Sequence, residues 1–171
     1  MPGTLHDYAA AVSNVIATCR DAEQGFRGAA DAVKDPALKE LFEQYSEQRG
    51  FFAGELQAAV KSMGFDTTHP TGVAGIVHGA WMTVKGVVTR HNDHAVLVEA
   101  ERGEDWSMKA YREAMNITLP PEIRTIIEKQ FDHVSAAHDR IKALRDAMRK
   151  QKTVGPAPNL PDGNIATPDQ Q

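Results

Sequence analysis

One cysteine, Cys19, is all the thiol chemistry this chain has, so an internal disulfide framework is excluded. An excess of one charge sign is missing as well: 19 Lys and Arg face 23 Asp and Glu, a net charge of −4, with both signs mixed along the sequence. No basic face recommends nucleic acid or an anionic membrane surface. Long apolar runs are absent too. The most membrane-like stretch surrounds Gly75-xxx-Gly79, where His78 and Lys85 interrupt a run that falls short of the ~20 residues a span requires. The opening Met1-Pro2-Gly3-Thr4-Leu5-His6-Asp7 lacks the charged-then-apolar order of a signal peptide. With the lone cysteine, this makes a reducing cytoplasm the expected location. Without a secretory route, the acceptor-like triplet Asn116-Ile117-Thr118 carries no weight.

What is present is helical periodicity. At 171 residues the chain suits one domain that buries its apolar surface without a structural metal. Residues 4 to 34 place Leu5, Val12, Ile16, Cys19, Phe26, Ala30 and Val33 on one stripe, and Glu23 is the acid on that stripe. Asp35-Pro36 supplies an N-cap followed by proline at the first helical position, predicting a tight turn into an antiparallel helix over 36 to 63. There Leu38, Leu41, Phe42, Tyr45, Phe52, Leu56, Val60 and Met63 form the apolar face, Gln48 and Arg49 lie inside its arc, and Glu47 points away. Gly64 ends the element.

From Gly64 to Asn92 the connection is too long for a hairpin, since bundle connections usually take ~2–8 residues, so it must cross the bundle. Within it Val73, Ile76, Val77, Ala80, Trp81, Val84 and Val88 keep a helical period, predicting a short helix. A third helix is expected from Asp93 to Asn116 with Glu101 and Glu104 on its inward stripe. After Pro120-Pro121 a fourth runs to about Lys150, with His138 and Arg145 among its apolar positions. Two hairpins joined by one long crossover give an all-α, ferritin-like four-helix bundle, here over residues 1–152. Residues 153–171, with Pro156, Pro158, Pro161 and Pro168, are expected as a disordered tail.

Acids seldom sit unpaired in a core, so the inward Glu23, Glu101, Glu104 and His138 define the candidate site. Counting outward from each turn sets Glu23 level with Gln48 and Arg49, and Glu101 level with His138. If the two hairpins align, three carboxylates and an imidazole converge.

The segments Cys19-Arg-Asp-Ala-Glu-Gln-Gly-Phe26, Gln48-Arg49-Gly-Phe-Phe-Ala-Gly-Glu-Leu56, Glu101-Arg-Gly-Glu-Asp105 and His138-Asp-Arg-Ile141 resemble an uncharacterised bacterial family of ferritin-like four-helix bundles. The resemblance covers roughly residues 4 to 150 and implies the fold more than an activity. Di-iron relatives such as rubrerythrin and bacterioferritin use a Glu from each of two helices and Glu-x-x-His from the other two. By that resemblance Glu23, Glu101 with Glu104, and His138 match ligand positions. Ser135 stands where a Glu is wanted, and helix two offers Tyr45, Gln48 and Arg49 in place of Glu-x-x-His.

Two readings follow. In the first, Arg49 and Arg145, with Gln48 and Tyr45, satisfy the acids as a buried ionic network. The protein is then a non-enzymatic scaffold or stress-associated bundle without a catalytic residue or cofactor, acting through a homodimer or a protein partner of unknown identity. In the second, Glu23, Glu101, Glu104 and His138 form an incomplete site for iron, manganese or zinc. A minor third reading is a cargo protein whose tail docks into a shell. His6, His69, His78, His91, His94 and His133 fall at loops, termini or helix flanks, and only His91-x-x-His94 has metal-like spacing.

Overall fold

A computed structural model of the protein describes residues 5–64 and 92–153. Four helices make up these residues apart from short turns: α1, Leu5–Ala32; α2, Pro36–Ser62; α3, Asp93–Met115; and α4, Pro121–Thr153. All four agree with the sequence periods to within a few residues at each end. The expected crossover helix and the expected disordered tail lie outside the described residues.

Local chemistry explains the boundaries. Asp35 is the N-cap of α2, its carboxylate accepting from the amide of Ala37 at 2.8 Å while Pro36 opens the helix. Gly64 closes α2 with φ of 82°, a left-handed conformation that glycine reaches without Cβ strain. Asn92 caps α3 by accepting from the amide of Ala95. Asp93, one residue on, reaches across to the α1–α2 turn and accepts from the amides of Lys34 and Asp35 at 2.9 and 3.0 Å. This fixes the topology. The start of α3 sits beside the end of α1, so α3 runs antiparallel to α1 and parallel to α2, as the long crossover requires. α1 packs on α2 and α3, and α4 packs on α3 and, less extensively, on α2.

The apolar core is split in two. One cluster gathers Val12, Val15, Ile16, Phe52, Leu56, Tyr111, Ile123, Ile127 and Val134. The other gathers Ala22, Phe26, Ala29, Leu38, Phe42, Val96, Leu97 and Ile141. Each large aliphatic or aromatic side chain buried this way contributes ~1.5–3 kcal/mol. At the level between the clusters sit buried Ser46 and Arg49 of α2 and Glu101, Glu104 and Ser107 of α3. The candidate site is this polar layer.

Candidate functional site

Arg49 is 1% exposed and Glu104 is 0% exposed, and Arg49 Nη2 donates to Glu104 Oε2 at 2.6 Å. The guanidinium lies over three rings, 5.6 Å from the centroids of Phe26 and Phe52 and 6.0 Å from that of Tyr45. Its Nη1 donates to the side-chain oxygen of Gln48. Burial pushes the Glu104 carboxyl above its ordinary value, against the pull of Arg49 and, more weakly, His138. For Arg49 burial acts against the charge, but Glu104 outweighs it and the guanidinium is raised. The two partners thus feel the layer differently. The permanent charge of a guanidinium and the short contact make an ion pair the state that satisfies this geometry. Glu104 Oε1 and Arg49 Nε are buried without a hydrogen-bond partner among the described residues.

Beside the ion pair runs a hydrogen-bonded chain that touches all four helices. Gln130 of α4 donates through its amide nitrogen to the carbonyl of Phe52 at 3.2 Å and to Glu55 Oε2 at 2.8 Å. Its amide oxygen therefore accepts, and Tyr111 donates to it at 2.8 Å. With its proton so committed, the Tyr111 oxygen accepts from Cys19, whose sulfur lies 3.1 Å away. Burial pushes the Cys19 thiol from 9.0 up to about 11. A neutral, buried thiol of this kind is a poor nucleophile. The simplest expectation for Cys19, a small buried hydrophobe, is refined by a specific partner.

The sequence-derived site residues do not converge. Glu23 is 18% exposed and lies at the edge of the bundle, paired with Arg20 at 3.1 Å and Arg27 at 3.6 Å. Neighbours at i−3 and i+4 on its own helix supply the charge it needs, so it has no call on Arg49. Its carboxylate lies against Gly50, where a Cβ would stand 3.0 Å from it. Arg49 accordingly pairs with Glu104 and not with Glu23. Glu101 pairs with Arg145, which also donates to Asp146 at 2.9 Å. His138 faces Asp105 at 2.9 Å and Asp139 at 3.2 Å, so its level on α3 lies one turn beyond Glu101. At the turn itself Arg124 of α4 donates to the carbonyls of Met115 and Ile117. Tyr45 is half-buried, its ring 5.3 Å from that of Phe26, and burial raises its hydroxyl.

Among the described residues no three His, Cys, Asp or Glu side chains stand close enough together to hold a metal ion. The arrangement does not fit the di-iron ligand set: a guanidinium fills the place beside Glu104, and Glu23 turns to its own helix. Sequence reasoning missed Gln130, Glu55 and Ser46. A glutamine at a core period on α4 was the available signal for Gln130, and Ser46, which donates to the carbonyl of Glu23 at 2.8 Å, gave none.

Comparison with solved structures finds a likeness to a two-domain protein from Anabaena variabilis containing DJ-1/ThiJ/PfpI-like and ferritin-like domains, with a TM-score of 0.68 and 12% identity. The match covers 96% of this chain and 42% of that one, and at this identity it speaks for the fold. No curated protein matches the chain. A family described as "Domain of unknown function (DUF2383)" matches residues 7–117, which span α1, α2 and α3. This all-α, ferritin-like four-helix bundle belongs to that family.

Proposed function

We propose that this is a non-enzymatic ferritin-like bundle, a scaffold whose central layer is held by an internal ion pair in place of a metal. The observation that carries the reading is the Arg49–Glu104 contact: by the resemblance to di-iron bundles, Arg49 stands on the helix that would supply Glu-x-x-His ligands, and it is committed to an acid. A guanidinium there repels a divalent ion and already satisfies the carboxylate. The remaining acids support the same reading, because Glu23 and Glu101 each have an arginine partner. The chain through Cys19, Tyr111 and Gln130 likewise offers no ionised nucleophile.

The test is elemental analysis of untagged protein purified without chelator and then exposed to ferrous iron, manganese or zinc. Substoichiometric metal in the wild type and in a Glu101→Ala, His138→Ala variant is the expected result. Stoichiometric metal in the wild type that is lost in the variant would overturn the proposal in favour of a metal-binding bundle.

A further inference from the structure

The outward face of α2 carries a pattern that the fold does not use. Phe51 is 66% exposed; among the described residues the other exposed large apolar side chain is Val98 at 39%. At ~100° per residue, Phe51 shares its stripe with Glu40, Glu47, Gly54 and Ala58, and Glu43 and Lys61 lie together along one margin of it. Gly54 has nothing within 4 Å of where its Cβ would stand, which leaves a shallow open hollow one turn beyond the projecting ring. Neither Glu43 nor Lys61 has an ion-pair partner among the described residues. Along the helix the stripe therefore reads acidic, then apolar, then basic.

Such an order is complementary to its own reverse. A two-fold axis crossing the outward face of α2 at the level of the buried Phe52 and Ala53 lays the stripe against a second copy of itself, antiparallel. Glu43 then faces Lys61 of the second copy, Glu47 faces its Ala58, and Phe51 faces its Gly54, each pair equidistant from the axis to within one residue. We propose that this face of α2 is an isologous interface with a second copy of this chain. Two Phe51 rings seat in two glycine hollows at the centre, and two Glu43–Lys61 pairs close the ends. The aromatic anchors supply the attraction, and the charge pairs fix the antiparallel direction, because a parallel contact would oppose acid to acid. A contact of one helix face per subunit falls at or below the low end of the ~1,200–2,000 Å² of stable complexes, so the dimer is reversible and concentration-dependent.

Sedimentation velocity on the full chain over a concentration series tests this. The wild type is expected to show a monomer–dimer equilibrium, and Phe51→Glu to raise its dissociation constant at least ~10-fold. Glu43→Lys and Lys61→Glu are each expected to weaken the dimer by placing like charges opposite one another, and the double variant to restore it. All three positions are exposed, so the fold should survive, as circular dichroism can check. If Phe51→Glu fails to fold, the charge-reversal set decides. A chain monomeric throughout the series, a dimer indifferent to Phe51→Glu, or a double reversal no better than the single ones would each overturn the proposal.

Discussion

Arg49 and Glu104 form the only ion pair among the described residues in which both side chains are almost wholly removed from solvent, at 2.6 Å between α2 and α3. Taking both charges out of water is costly, and the pair holds because each compensates the other. Removing one partner strands a buried charge. Arg49→Met or Glu104→Leu alone is therefore expected to lower stability by ~3–5 kcal/mol, whereas the double variant should recover most of that loss. Urea unfolding of the four proteins in a double-mutant cycle measures the coupling.

Cys19 gives the alkaline limb of stability its direction. The unfolded thiol loses its proton near the ordinary 9.0, while the folded one keeps it until about 11. Between those values the unfolded chain binds fewer protons, so folding stability falls as pH rises, by on the order of 2–3 kcal/mol across the window. Cys19→Ala should flatten the slope between pH 9 and 10; above that, Tyr111 and Tyr45, both raised by burial, continue it. A second readout is reactivity. A thiol-specific disulfide reagent at pH 8 should label the native protein only at the rate of its opening and the urea-unfolded protein at once.

The fold was legible because periodicity and punctuation agree: the stripes of α1 and α2 meet at Asp35-Pro36, and Asp35 does cap the helix that Pro36 opens. The site was legible only in kind. The inward stripes of α2 and α4 carry Arg49 and Arg145, and in the structure these pair with Glu104 and Glu101. Which acid meets which arginine was not readable, because that depends on how the hairpins slide against each other. Glu23 misled for a different reason. A helical stripe is wide, and a residue at its margin can turn to Arg20 and Arg27 on its own helix instead of to the core. The Tyr111–Gln130 bond was invisible because neutral partners leave no charge pattern to pair up.

Asp93 joins the two hairpins at one end of the bundle through the amides of Lys34 and Asp35. Those donors lie in a turn where the helix ends leave backbone groups without helical partners. Asp93→Ala should cost ~1–2 kcal/mol, in the range of lost capping and charge-assisted bonds. The diagnostic measurement is native-state hydrogen exchange. The amides of Lys34 and Asp35 should lose their protection in the variant while those of Phe26 and Leu56 keep theirs; equal exchange in both proteins would mean that water satisfies the turn without Asp93.

Two glycines of α2 differ in what surrounds them, and alanine reads the difference. At Gly54 an added Cβ meets nothing within 4 Å, so Gly54→Ala should stabilise the dilute protein by ~0.5–1 kcal/mol through helix propensity alone. At Gly50 the Cβ would stand 3.0 Å from the carboxyl carbon and one oxygen of Glu23. That carboxylate is the far end of a flexible side chain, but Arg20 and Arg27 hold it, so it must give by a few tenths of an ångström against both. The same propensity gain is then offset in part, and Gly50→Ala should fall below Gly54→Ala in thermal midpoint. Combining Gly50→Ala with Glu23→Ala removes the obstruction and should restore the gain at position 50. If Gly50→Ala matches Gly54→Ala while Glu23 is still present, the carboxylate moves aside freely and its two arginine pairs contribute nothing measurable.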